Sequence, residues 1–256
     1  MPTVLITGCS SGFGLAAAKL FLHQGWEVIA TMRTPDPTCL PESDKLTILP
    51  LDITSAQSIS HVVKEAGAID VLVNNAGFGA PVPVELTSFA TAQQLMNTNV
   101  LGTLSLTQAF LPLMREAKSG VIINVSSSVT TKAMPMIGLY RASKAALNAW
   151  SESLSIEVRP FGIRVHVVLP GRSPETKFGE NARAHFAGMD DPAYGQMVKE
   201  FIQMVGESNS PVTHADDVAK AIFAIAHDAN APLYTAAGED AGLWLKEAQQ
   251  HSPFSY

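Results

Sequence analysis

The sequence predicts an α/β domain built on a doubly wound, mostly parallel seven-stranded sheet with helices on both faces. Three observations carry this reading. Short apolar, β-branched runs alternate with helical patterns along the chain, the rhythm of successive βα units. The composition leans apolar, with 46% hydrophobic and 16% charged residues and a mean hydropathy of +0.16, as suits parallel strands buried on both faces. The first strand runs directly into a glycine-rich turn that opens a helix, Thr7-Gly8-Cys9-Ser10-Ser11-Gly12-Phe13-Gly14.

The elements follow in order. Thr3 to Ile6 starts the sheet. Phe13 to Gln24 reads as a helix with Leu15, Ala18 and Leu22 on one side, and Gly25 stops it. Glu27 to Met32 and Leu46 to Leu49 are strands. A polar helix around Ser55 to Glu65 precedes the buried strand Val71-Leu72-Val73. Asn99 to Ala117 reads as one helix, with Pro112 positioned to kink it. Val121 to Val125 is a strand, Leu139 to Arg159 a long helix, and Arg164 to Leu169 a strand. Thr213 to Ala226 is a helix, its start marked by the capping-box spacing of Thr213 and Asp216 and its buried stripe by Val218, Ile222 and Ile225. Leu233-Tyr234-Thr235 closes the sheet. Right-handed crossovers make this arrangement doubly wound.

The 256 residues suffice for a single domain, 1–256, with no internal repeat or linker. Only Arg172 to Pro211 breaks the rhythm; it has no strand pattern but carries Phe178, Phe186, Met189, Tyr194, Met197, Phe201 and Met204. A long insertion after a strand's carboxyl end is either a substrate lid, at about 172–211, or a pair of helices packed on the domain edge. The net charge of -6, with basic residues scattered, argues against a nucleic-acid partner. Cys9 and Cys39 have no metal-ligand or disulfide-framework spacing, and no two histidines pair as ligands, so no metal is expected. A strand pattern from Thr3 leaves no room for a signal peptide, and no apolar run reaches membrane-spanning length. The expectation is a soluble cytoplasmic protein.

Glycines in a strand-to-helix turn let backbone approach a pyrophosphate, and the helix start offers free N–H groups. Gly8, Gly12 and Gly14, with Ser10 and Ser11, therefore point to a dinucleotide. The spacing is GxxxGxG rather than GxGxxG. An acidic residue at the end of the second strand would hold a ribose 2′-OH; this chain has Met32 and Arg33, with no carboxylate until Asp36. Arg33 can pair with a 2′-phosphate, which favours NADP(H) over NAD(H), or it is a solvated surface residue.

Tyr140 and Lys144 are four residues apart on one helix face. An ammonium beside a phenol favours the phenolate, producing an acid for carbonyl reduction and a base for alcohol oxidation. Ser126, Ser127 and Ser128 close a strand at its carboxyl end, where a hydroxyl could bind a substrate oxygen or simply cap a turn. The residues alone leave those three open.

These motifs together resemble the short-chain dehydrogenase/reductase family, in its single-domain branch. TGxxxGxG is matched by Thr7 to Gly14, NNAG by Asn74-Asn75-Ala76-Gly77, Asn-x-x-Gly by Asn99 to Gly102, YxASK by Tyr140 to Lys144, and Pro-Gly by Pro170-Gly171. The family's serine lies thirteen residues before its tyrosine, which selects Ser127. The resemblance implies a Rossmann sheet of order 3-2-1-4-5-6-7. It also implies Tyr140 as general acid/base, Lys144 lowering the tyrosine pKa and holding the nicotinamide ribose, and Ser127 orienting the substrate oxygen. Asn99 would order a water in a proton relay. Asp52 and Ile53 would contact adenine, and Asn75, Ala76 and Gly77 would wall the adenosine side. Phe13 belongs to the cofactor turn, and Pro170 and Gly171 to its nicotinamide end.

Two departures from the family stand out. The stretch Pro170 to Thr176 is one residue longer than its pattern, which puts Thr176 as a nicotinamide contact in doubt, and Arg141 stands where small residues are common. The implied activity is NADP(H)-dependent interconversion of a ketone or aldehyde and an alcohol. An epimerase or dehydratase of the same family, or a non-catalytic dinucleotide sensor, is the alternative. The small-residue face Ala142, Ala145, Ala146, Ala149 and Ser153 fits the family's helix-mediated homodimers or homotetramers. His166 reads as a satisfied core residue, and Cys9 as a packing residue.

Overall fold

The computed structural model describes residues 1–206 and 210–250. Residues 207–209 of the 172–211 segment and 251–256 of the expected domain lie outside the described residues. Seven strands, β1 (Thr3–Thr7), β2 (Glu27–Met32), β3 (Leu46–Pro50), β4 (Val71–Asn74), β5 (Gly120–Val125), β6 (Ile163–Pro170) and β7 (Tyr234–Ala237), form one sheet. Their order is β3-β2-β1-β4-β5-β6-β7, and every pairing is parallel. β1 pairs with both β2 and β4, so the chain reverses its winding there and leaves a crevice at the strands' carboxyl ends.

Two apolar layers hold the sheet. On one face α1 (Gly12–His23) and, from the chain's far end, the helix Ala215–His227 cover it through Ala17, Phe21, Val218 and Ile222 against Val4, Ile6, Val28 and Val73. On the other, α2 (Ala56–Ala66) contributes Ile59 and Val62. Beside it the helix Thr103–Ala117 contributes Leu106, Phe110 and Met114 against Leu5, Leu72 and Ile122. Phe21 and Phe110 are fully buried, and each such side chain contributes about 1.5–3 kcal/mol.

The expected strands and long helices are present within a residue or two of their sequence bounds. The remaining helices, in order, are α3 (Phe89–Met96), α4 (Thr103–Ala117), α5 (Gly138–Val158), α6 (Phe178–Arg183), α7 (Gly195–Gly206), α8 (Ala215–His227) and α9 (Glu239–Gln250). Four differ from the sequence reading. The expected helix from Asn99 begins only at Thr103, because Asn97–Gly102 winds as a π-helix that joins α3 to α4; Pro112 lies inside α4 without ending it. The capping box of α8 is His214 with Asp217, not Thr213 with Asp216. The Thr213 hydroxyl is instead buried and spent on Gly171 N–H, the Ala237 carbonyl and Asp240. Helices α3 and α9 fall in stretches where the sequence reading placed none.

Candidate active site

At the β1 end of the crevice the backbone sets the shape. Gly8 has φ +75°, and a Cβ on Gly14 would stand 2.4 Å from the Gly8 carbonyl oxygen. Only glycine allows α1 to start this close to β1. The Thr7 hydroxyl accepts from the N–H groups of Asn75 and Ala76, both at 2.9 Å, and the Asn75 amide donates to the Thr7 carbonyl at 2.8 Å. The Asn-Asn-Ala-Gly stretch thus bolts the turn to β4. Asn74 reaches the other way, donating to Thr107 and to Asn124, which donates to Ser151. Ser55 and Ser88 cap α2 and α3 through their side chains, but Ser11 makes no such bond at α1. The first N–H groups of α1 are therefore left uncapped beside a glycine cradle, a donor set suited to a pyrophosphate.

The second end of the crevice is built from side chains. Tyr140 and Lys144 lie on α5 and Ser127 follows β5; all three are buried. The Ser127 hydroxyl is within hydrogen-bonding reach of the Tyr140 phenol and also accepts from Val129 N–H at 3.3 Å. Its neighbours face elsewhere. The Ser126 hydroxyl donates to the Lys144 carbonyl, and the Ser128 hydroxyl is buried without a partner among the described residues. The π-helical turn places Asn99 against the same cluster. The Asn99 amide accepts from Phe78 N–H and donates to the Phe78 carbonyl and the Ser143 hydroxyl at 3.0, 2.9 and 3.0 Å. Ser143 then donates to the Tyr140 carbonyl at 2.7 Å. Gly77 adjoins both sets: a Cβ there would lie 2.9 Å from Asn99 Oδ1 and 3.5 Å from Lys144 Nζ.

Burial dominates the electrostatics of this cluster. It pushes the Tyr140 phenol up to about 12, and the Ser127 hydrogen bond opposes it. Lys144 is itself brought down to about 8 by burial, with its ammonium donating to the Val125 carbonyl at 2.8 Å. Desolvation is thus the largest influence on both groups of the pair.

A parallel sheet of order 3-2-1-4-5-6-7 with these groups at its carboxyl edge invites comparison with known proteins. The family model described as "short chain dehydrogenase" matches residues 2–186. This chain belongs to the short-chain dehydrogenase family. It is an oxidoreductase of that family. It is 34% identical over 239 residues to a 3-ketodihydrosphingosine reductase of Bacteroides thetaiotaomicron, covering 92% of this chain and 87% of that protein. It is also 34% identical to retinol dehydrogenase 8 of Bos taurus, covering 90% and 80% of the two chains. A short-chain dehydrogenase from Streptomyces avermitilis superposes with a TM-score of 0.85 at 34% identity, covering 97% of this chain and 92% of that one. A serine dehydrogenase complexed with NADP+ superposes at 0.80 with 26% identity, covering 93% and 95%.

Against the family's pattern the remaining residues fall as follows. Arg33 is exposed at the end of β2, and its charge is one of the influences holding the Asp52 carboxyl below its usual range. The first of those influences is Thr54, whose hydroxyl and N–H both donate to Asp52. Ile53 is buried and Phe13 packs partly buried on the core, so any cofactor contact they make is through backbone or a side-chain edge. Thr176 packs its methyl against the Gly12 position and spends its hydroxyl on the Ser173 carbonyl. Arg141 turns away from the tyrosine to donate to the Thr130 carbonyl. Cys9 is buried, its thiol pushed up to about 12, which suits packing and not attack. His166 is satisfied by the Pro232 carbonyl and Arg164. No helix of the described residues is long and apolar enough to cross a membrane, and none of their acidic, histidine and cysteine side chains cluster for a metal.

The sequence reading missed a second anchoring group. Asp240, buried at the start of α9, accepts from Arg172 N–H at 2.6 Å and from the Thr213 hydroxyl at 2.7 Å. A Cβ on Gly171 would lie 2.2 Å from its carboxylate oxygens. This clamp ties the end of β6 to β7 and α9. The spacing of Thr213 and Asp240 from Gly171 gives no local sequence signal; only the sheet's order brings them together.

Proposed function

We propose that this protein interconverts a ketone or aldehyde and the corresponding alcohol with a nicotinamide dinucleotide, preferring NADP(H). The observation that carries this reading is the convergence of the buried Tyr140 phenol and Ser127 hydroxyl beside Lys144, at the carboxyl ends of β4 and β5. The glycine cradle and uncapped α1 fit a dinucleotide, which when bound supplies or accepts the hydride. The rest falls to the chain. In reduction, Tyr140 donates its proton to the substrate oxygen while Ser127 donates a hydrogen bond that stabilises the developing alkoxide. In oxidation, the phenolate takes the alcohol proton. Lys144 would hold the ribose of the cofactor, and its positive charge on the same helix favours the phenolate against the burial that raises Tyr140 to about 12.

Asn99 keeps Phe78 and Ser143 in place around that pair and serves as a positioning residue in the proton relay. Arg33 supports NADP(H): it is exposed just past β2 and without an ion pair among the described residues, and its guanidinium can pair with a 2′-phosphate. Asp52, Asn75 and Ala76 line the adenosine side, Pro170 and Gly171 the nicotinamide end, and the segment from Arg172 covers the substrate. The relatives named for a long-chain ketone and for retinol favour an apolar substrate. The small-residue face of α5, with Ala142, Ala145, Ala149 and Ser153 exposed, suits a homo-oligomer. Loss of reduced-nicotinamide absorbance over a panel of ketones tests the reading. Turnover with NADPH, and a lower dissociation constant for NADPH than for NADH, is the expected result. Binding without turnover of any ketone refutes it.

A further inference from the structure

Phe178, the first residue of α6, brings the segment after β6 into contact with the chemistry. Its ring packs against that of Tyr140 with centroids 5.6 Å apart and planes tilted by 55°. The opposite contact depends on a missing side chain. A Cβ on Gly79 would stand 2.8 and 3.0 Å from two atoms of the Phe178 ring, so the phenyl fills a notch that only glycine leaves. The contact is braced on both sides. His185 places its ring 4.9 Å from that of Phe78, Gly188 meets Pro83 and Leu86, and the Tyr194 hydroxyl donates to Glu85. Residues 178–194 are therefore seated on the loop that follows β4.

The surroundings are apolar. Ala80 and Leu95 cluster with Tyr140, and Phe78, Val129 and Leu139 pack on them. The two cations of the first turns of α5 are committed to backbone, Lys144 to the Val125 carbonyl and Arg141 to the Thr130 carbonyl. Phe178 keeps 39% of its surface open. A carbonyl substituent directed toward α6 from Tyr140 therefore meets a phenyl in an apolar wall.

We infer that Phe178, held in the Gly79 notch, is the specificity-determining residue of this site, selecting ketones whose carbonyl bears a flat apolar ring over those bearing a compact branched or a charged group. A flat ring gains the offset or edge contact that aromatic pairs favour. A tetrahedral tert-butyl group gains no such contact, and a carboxylate set against the phenyl exchanges water for an apolar face. The inference rests on the carbonyl-oxidoreductase reading above.

The test uses the full chain with saturating NADPH and three ketones: acetophenone, pinacolone (tert-butyl methyl ketone) and pyruvate. The parent should prefer acetophenone by kcat/KM. Phe178→Ala should lower the acetophenone-to-pinacolone ratio by about tenfold, mostly through KM, the size of a lost aromatic pair. Phe178→Leu retains apolar bulk but loses the plane, and should reproduce most of that fall. Gly79→Ala leaves the phenyl chemically intact but drives it from its notch, and should move the ratio in the same direction. A ratio within about twofold of the parent in both Phe178 variants, or a parent that prefers pinacolone or pyruvate, overturns the inference and leaves the reading above standing. A parent that binds NADPH and turns over none of the three overturns both.

Discussion

The two ends of the crevice are shaped by different physics. Beside β1 the fit comes from side chains that are missing: Gly8 and Gly14 bring backbone to within contact of backbone, and Asn75 locks the result. Beside β5 and α5 it comes from side chains tied to one another, Asn99 to Phe78 and Ser143, Ser143 to Tyr140, and Ser127 to the phenol. An added atom should be ruinous at the first end, and a lost atom at the second. On the function proposed above the first end would hold the cofactor and the second would move the proton, so substitutions should split the two functions.

The largest expected effect is at Tyr140. Tyr140→Phe should cost roughly a thousandfold or more in kcat, within the range of general-acid contributions. NADPH affinity, measured by fluorescence titration, should stay within a few-fold. The same residue fixes the pH dependence. Its pKa is raised, to about 12 without cofactor, so the base form grows with alkalinity. Alcohol oxidation should therefore speed up as pH rises and carbonyl reduction should slow, and a flat profile of the chemical step would break the assignment.

Gly14→Ala comes next. A methyl forced to within 2.4 Å of the Gly8 oxygen should cost about 1–3 kcal/mol of stability, the usual penalty of overpacking. It should also weaken NADPH binding by roughly a hundredfold at constant Tyr140 chemistry. Calorimetric melting and cofactor titration read the two.

Asn99→Ala removes atoms instead. It leaves the Phe78 N–H and carbonyl without their partners, an unpaired-group cost of about 1–3 kcal/mol. The expected signature is a kcat lower by roughly thirtyfold with a much smaller change in cofactor affinity. A loss of affinity as large as the loss of kcat would erase the distinction between the two ends.

The smallest effect sharpens the cofactor end alone. Arg33→Ala should raise the NADPH dissociation constant by about tenfold, the worth of a charge-assisted contact on an exposed surface, and leave NADH unchanged. Equal loss for both would make Arg33 a bystander.

What the sequence disclosed follows the same division. Strands and amphipathic helices were legible because their periodicity is local: Glu27–Met32 stands where the sequence places it. The glycine turn was legible because the chain meets itself there, so closely at Gly14 that a Cβ does not fit. The π-helical stretch at Asn97–Gly102 was hidden, since nothing in Asn-Thr-Asn-Val-Leu-Gly distinguishes an i→i+5 turn from an α-helical one. Ser127 was chosen over Ser126 and Ser128 by family resemblance; their environments differ only once β5 and α5 are packed. The charge of Lys144 near Tyr140 was legible because charge can be counted in a sequence, whereas the burial that raises the phenol cannot. Thr213 was read as a cap from its spacing, and it is tertiary structure that recruits its hydroxyl to Asp240.

That last contact carries a practical consequence. The carboxylate of Asp240 reaches across sixty-eight residues of chain to grip the amide of Arg172, so α9 acts as a structural beam under the end of β6. Trimming the protein back past α9, which a designer seeking a minimal enzyme would be tempted to do, would unmoor Pro170 and Gly171 while leaving every recognised motif intact.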